Sequence, residues 1–216
     1  MPRRIFSIIL LVFFLSGNSL AVKTINLPTP QTIGKVSLEQ SIGLRRSERE
    51  FYEKELTQQQ LSQLLWAAQG ITDKDFGFRA APSAGALYPL SIYVANKDGV
   101  FHYIPDGHKL IEISSEDKRP SLVRASLGQD CIRVAPVTIV IAANFIITQA
   151  KYGVRAFRYV CIEVGHVAEN IHLQAIALGL GSSPLGAFWD DVVKTTLEIP
   201  ENQETLYIIP VGYVKK

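Results

Sequence analysis

Lys151 to Phe188, KYGVRAFRYVCIEVGHVAENIHLQAIALGLGSSPLGAF, constrains the fold more than any other stretch of this chain. Phe157, Val160, Cys161, Val164, Ala168, Ile171, Ala175 and Leu178 recur at spacings of three and four, which places them on one helical stripe. Ile162, Val167, Leu173, Ile176 and Ala177 fall off the stripe, so the helix is apolar nearly all round and belongs in a core or an interface. Glu163, His166, Glu169, Asn170, His172 and Gln174 interrupt it too often for a membrane span. Gly179 and Gly181 end it. In the small-residue run that follows, Pro184 lacks an N–H and Gly186 lets backbone approach something flat. A helix that delivers a bare backbone loop is a cofactor-site shape.

A chain of 216 residues, 47% hydrophobic and 19% charged, fits one globular domain with a single core. The formal charge is +2, and no long basic run occurs beyond the extreme N-terminus, which argues against a nucleic-acid partner. Residues 1–21 read as a signal peptide: Arg3-Arg4, an apolar Ile5–Leu15, then Ser19-Leu20-Ala21 as a small-x-small cleavage site. The expected mature chain starts near Val22 and is exported, to the periplasm or beyond, with no membrane span once the signal is removed. An uncleaved anchor is the alternative, disfavoured by the short apolar run. Arg3-Arg4 also fits part of a twin-arginine signal, so the export route stays open between that and ordinary secretion. Cys131 and Cys161 read as two separate core thiols rather than a pair, and the scattered histidines give no metal site.

Residues 22–36 read as a linker or extended arm, and residues 37–216 as the folded domain. Ser37 with Gln40 and Thr57 with Gln60 form capping boxes for two short helices, the second burying Leu61, Leu64, Leu65 and Ala68 and closing at Gly70. Arg79–Pro89, RAAPSAGALYP, is a loop of small residues. Leu90–Asn96 and Val100–Ile104 form a hairpin around Lys97-Asp98-Gly99, and Lys109–Ile113 adds a strand. A helix is expected from Pro120 to Leu127, a central strand at Val137–Ala143, and a last strand at Thr205–Val214 broken by Pro210. Helices and strands mix without regular βαβ alternation, so the fold class is α+β with an antiparallel or mixed sheet.

Arg45, Arg46, Ser47 and Arg49 either hold a phosphate, which guanidinium forks match, or form a solvated basic face. Lys151 and Tyr152 are a candidate proton-handling pair, although a Lys-Tyr dipeptide usually means nothing. His166 and Glu169 read as a polar pair satisfied within a core or a subunit interface.

Taken in order, LRRSEREF at Leu44–Phe51, APSAGALYPL at Ala81–Leu90, VFHYIPDGHKL at Val100–Leu110, the Lys151–Ala175 stretch and GLGSSPLGAF at Gly179–Phe188 resemble the nitroreductase-like FMN flavoprotein superfamily. Within it the chain is similar to the SagB-type, or thiazole/oxazole, dehydrogenases. The resemblance implies an α+β sandwich with the long helix at a homodimer interface and FMN bound between subunits. Arg45, Arg46, Ser47 and Arg49 then match the segment that holds the FMN phosphate, ribityl chain and pyrimidine edge. Pro82, Ser83, Ala84, Gly85 and Leu87 match the loop the second subunit brings to the flavin. Pro184, Leu185, Gly186 and Ala187 match the loop facing the flavin ring, and Lys151 and Tyr152 match the pair used for proton removal. Typical members have Asn and Gln where this chain has Ala86 and Tyr88, which disfavours a reductase of nitro compounds. They also have a basic residue near the C-terminus, where this chain offers Lys215 and Lys216.

The implied function is FMN-dependent hydride transfer with a small organic or peptidyl substrate. Its rivals are an NAD(P)H-dependent nitro or quinone reductase and a flavin-binding homodimer without turnover.

Overall fold

The structure, a computed structural model, describes residues 23–215; the expected signal segment lies outside them. In chain order the strands are β1 (Thr24–Asn26), β2 (Phe51–Tyr52), β3 (Ile71–Asp73), β4 (Phe78–Arg79), β5 (Leu90–Asn96), β6 (Gly99–Ile104), β7 (Lys109–Ser114), β8 (Val137–Ala143), β9 (Gly181–Ser182) and β10 (Glu204–Val214). The helices are α1 (Leu38–Leu44), α2 (Gln58–Gln69), α3 (Arg119–Ala125), α4 (Cys131–Val134), α5 (Phe145–Tyr152), α6 (Ala156–Ala177) and α7 (Asp190–Thr196). One antiparallel sheet runs β1-β7-β6-β5-β8-β10-β2 with β9 beside β10, and β3 and β4 pair separately.

Period-two alternation sends the central strands' side chains to two different cores. Ile92, Val94, Ile139, Ile141, Ile209 and Val211 face the core shared with Leu64, Leu65 and Ala68 of α2 and with Val160, Val167 and Ile171 of α6. Tyr93, Ala95, Val140, Ala142 and Ile208 face the opposite way, toward Leu122 of α3, Ile132 of α4 and Val193 of α7. The result is a sheet covered by helices on both faces, which explains why β8 is buried along its whole length and apolar but for Thr138. This is the expected α+β sandwich, and both capping boxes are formed.

Several local expectations are revised. The segment expected as a linker or extended arm contributes the edge strand β1, and its Pro28 carbonyl accepts a 2.5 Å hydrogen bond from the Ser62 hydroxyl. β10 passes through Pro210 unbroken; its irregularity falls between Thr205 and Tyr207. The expected apolar stripe on α6 is buried at Val160, Val164, Ala168, Ile171 and Ala175 but not at Phe157 or Cys161. Ala156, Val160, Glu163, Val164, Val167, Ala168, Ile171, His172 and Ala175 are buried, whereas Phe157, Cys161 and Ile162 lie on the surface of the single chain. Cys131 is buried, and neither thiol is in a disulfide. His166 and Glu169 are both exposed on the single chain, which takes them out of its core.

Candidate functional site

The residues singled out from sequence gather into two groups served by different parts of α6. The first begins where α1 ends. Its C-cap is Arg45, and the chain then runs extended through Ser47, which forms a parallel bridge with Ser182. The Glu48 N–H donates to the Ser182 carbonyl at 3.0 Å, so the arginine segment and the small-residue loop lie side by side in one chain. Arg46 Nη1 donates to the Arg45 carbonyl at 2.6 Å, and Arg45 Nε stands 3.8 Å from the exposed Glu169 carboxylate. The Lys215 N–H donates to the Glu50 carbonyl, which brings the C-terminal tail beside Arg49.

Beneath this segment is a residue the periodicity reading missed. His172 is buried, with Nδ1 2.6 Å from Ser182 Oγ, and its Nε2 and the nearby Ser183 Oγ have no partner among the described residues. Burial, with a smaller contribution from the Arg45 charge, lowers its pKa to about 4, so the ring is neutral.

In the following loop, Leu185 is buried and exchanges two backbone hydrogen bonds with Ile208, so its own N–H is consumed. Gly186 and Ala187 are exposed, and their N–H groups donate to no protein acceptor among the described residues. A Cβ on Gly186 would meet only Tyr207, at 3.8 Å, so packing within the chain does not demand glycine there.

The second group surrounds Pro82–Tyr88. Gly85, Ala86 and Tyr88 all have positive φ, at 63, 55 and 49°, the last two being costly for residues with a Cβ. Ser83 holds the loop: its carbonyl accepts from the Ala86 N–H and its hydroxyl from the Tyr88 N–H at 2.9 Å. The glycine at position 85 has a local reason. A Cβ there would lie 2.7 Å from Tyr152 Oη and 2.8 Å from Lys151 Nζ. Lys151 and Tyr152 are the last residues of α5, and Gly153, with φ 52°, breaks the helix so that α6 can start in a new direction. The structure therefore places the Lys–Tyr pair against the small-residue loop of its own chain.

α6 supports this loop from below. Asn170 Nδ2 donates to the carbonyls of Ala67 and Ala80. Glu163, only 2% exposed, accepts from Gln69 Nε2, while Gln69 Oε1 accepts from Arg79 Nη1 at 3.2 Å. Burial raises the Glu163 carboxyl above its ordinary range, with Ser83, Gln69 and Arg79 opposing it only in part. Glu163 and His172 were legible as sites only once the buried face was known. Glu163 lies three residues from the buried Val160 and four from Val167, and His172 four from the buried Ala168 and three from Ala175, so each sits beside the expected stripe and not on it.

Glu163 and His172, which serve the two groups, are separated by about 13 Å along the helix axis. Two clefts of about 640 and 650 Å³ are lined by none of the site residues expected from sequence, although Ala67, Ala80 and Asn170 border the first.

The antiparallel sheet, the central helix and the two loops it supports define a nitroreductase-like α+β protein. Comparison with known proteins agrees. The Nitroreductase family matches residues 42–213, and the chain belongs to that family of oxidoreductases. It is 45% identical to MJ1384 of Methanocaldococcus jannaschii, provisionally named a nitroreductase, over 83% of this chain and 92% of that one. A crystal structure from Ralstonia eutropha, also provisionally named a nitroreductase, is 30% identical, covers 89% of this chain and 90% of that one, and superposes with a TM-score of 0.81. The microcin B17-processing protein McbC of Escherichia coli is 26% identical over 65% of this chain and 56% of McbC. A chain of the E. coli microcin synthetase McbBCD complex with truncated pro-MccB17 bound shares the fold at a TM-score of 0.69, with 24% identity over 88% of this chain and 77% of that one.

Proposed function

We propose that the mature, exported protein is a homodimeric, FMN-dependent dehydrogenase of the SagB type. The observation that carries the reading is the packing of Gly85 against both Lys151 Nζ and Tyr152 Oη, which sets a proton-handling pair on the loop expected to meet the flavin.

The first group suits an anionic, flat cofactor. Arg45, Arg46, Ser47, Arg49 and Lys215 offer cationic and hydroxyl donors, while the Gly186 and Ala187 N–H groups and the buried Ser183 Oγ have no protein partner among the described residues. Arginine forks match a phosphate, and bare N–H groups suit the edge of a polar ring. FMN, when bound, would exchange a hydride with the substrate. Lys151 and Tyr152 would take the proton that leaves with that hydride in the dehydrogenase direction, or return it in the other. Their positions at the end of α5 fix both heads on one side of Gly85.

The dimer is proposed from an uncovered apolar face. Val154 is fully exposed and Phe157 is 66% exposed; Ile162 on α6, Ile146 and Ile147 on α5, and Leu38, Ile42 and Leu44 on α1 are exposed as well. A second copy packed on this face would bury it and carry one chain's Pro82–Leu87 loop to the other chain's arginine segment. The substrate is a small organic molecule or a peptide; the McbBCD complex, with a truncated precursor peptide bound, supports the peptide case.

Anaerobic mixing of the FMN-loaded protein with NADH or NADPH tests the activity. Slow bleaching of the flavin is expected. Rapid bleaching with no other substrate present would make the protein an NAD(P)H-dependent reductase instead.

A further inference from the structure

Arg79 carries a charge that no function above uses. Its side chain is half-buried, which disfavours the charged form, and no carboxylate lies within ion-pair distance among the described residues. Two contacts hold the guanidinium: Nη1 donates to Gln69 Oε1 at 3.2 Å, and the plane sits over the Tyr88 ring at 4.5 Å. Tyr88 is fixed in turn, since its hydroxyl accepts from the Arg79 backbone N–H at 3.1 Å. Glu163 lies behind Gln69, bonded to the same amide and acting on Arg79 by charge without touching it. Nε and Nη2 make no protein hydrogen bond among the described residues, so part of the fork stays free to donate.

The fork stands in a cleft of about 490 Å³ lined by Phe78, Arg79, Pro82, Ser83, Gly85 and Tyr88. Gly85 is the residue packed against Lys151 and Tyr152. Phe78 stacks on Phe76 at 5.6 Å, and both rings are exposed, Phe76 by 74%. A pre-oriented, partly desolvated arginine beside aromatic faces recognises a planar anion attached to an apolar body. A phosphate is a poorer match, because Arg79 is the one cationic side chain among the residues that line this cleft and a dianion's charge is better shared by two.

We infer that Arg79 is the anchor of a substrate subsite, and that the substrate carries a carboxylate on an apolar or aromatic body. This rests on the dehydrogenase reading, which it deepens by naming the substrate class.

Calorimetric titration of the purified protein with benzoate, with benzamide as its neutral counterpart and with inorganic phosphate tests the inference. Calorimetry reads binding whether or not flavin is present, so a protein that carried no FMN would defeat the functional reading while leaving this result legible. Benzoate is expected to bind at least tenfold more tightly than benzamide or phosphate. Arg79→Gln should abolish that preference with FMN content unchanged, and Arg79→Lys, which keeps the charge but not the fork, should retain binding weakened several-fold. Phe78→Ala should weaken benzoate and benzamide alike. Equal binding of benzoate and benzamide, tighter binding of phosphate than of benzoate, or an undiminished preference in Arg79→Gln would overturn it.

Discussion

Gly85 and Lys151 are in such close contact that a single methyl group on the glycine would stand 2.8 Å from the lysine ammonium, and 2.7 Å from the neighbouring Tyr152 hydroxyl. Gly85→Ala is therefore expected to push the Lys–Tyr pair away and to strain a backbone with φ 63° by about 1 kcal/mol. Turnover should fall by about a hundredfold, the scale of a misplacement near 1 Å, with flavin content retained. Steady-state kinetics beside a flavin spectrum checks this; full activity would show that the pair has no part in the chemistry.

Arg46→Ala and Lys151→Ala should fail in different ways. Loss of a charge-assisted phosphate contact costs about 1.5–3 kcal/mol, so Arg46→Ala should weaken FMN affinity by about ten- to a hundredfold and recover at saturating FMN. Lys151→Ala should bind FMN normally yet lose about a hundred- to ten-thousandfold in turnover. Flavin titration and substrate-driven flavin reduction separate the two. Normal turnover in Lys151→Ala would move proton delivery to solvent.

The layers of this fold were legible because its strands alternate or run apolar in lengths that admit few other readings; β8 falls at the expected Val137–Ala143. The long helix was legible, but the edge of its buried face was not. Its apolar residues surround it, so periodicity alone could not set that edge: Val160, Val164, Ala168, Ile171 and Ala175 of the expected stripe are buried, whereas Phe157 and Cys161 lie at the surface. Glu163 and His172 were obscured for the same reason. The juxtaposition of Gly85 with Lys151 and Tyr152 joins residues far apart in sequence, and only the tertiary fold brings them together.

Two buried groups on α6 give opposite pH dependences. An unperturbed histidine titrates near 6.5 and His172 at about 4, so the unfolded chain takes up its proton first as pH falls. Stability linked to His172 is complete above about pH 6.5 and declines toward pH 4, by an amount of order 3 kcal/mol. Glu163 is raised above its ordinary 4.5, so the folded state keeps a proton that the unfolded chain releases; its contribution is complete below that value and is lost as pH rises. Urea unfolding between pH 4.5 and 8 should show a flatter acid limb for His172→Gln and higher neutral-pH stability for Glu163→Gln. An unchanged acid limb in His172→Gln would remove the buried histidine from the account.

In the proposed dimer the Pro82–Leu87 loop of one copy would complete the site of the other, so dimerisation and FMN binding are expected to be coupled. Phe157→Glu should place a charge in the apolar face of α6, giving a monomer with at least tenfold weaker FMN affinity. Sedimentation with flavin absorbance reads both. A monomer that keeps tight FMN would place the whole site within one chain.

The most direct measurement is the absorption spectrum of the protein purified from Val22 onward, with identification of whatever it releases on denaturation. The account predicts a yellow protein that releases FMN and no FAD, since the proposed phosphate contacts of the arginine segment would make a single phosphate site. A colourless protein that cannot be reconstituted with FMN would contradict it.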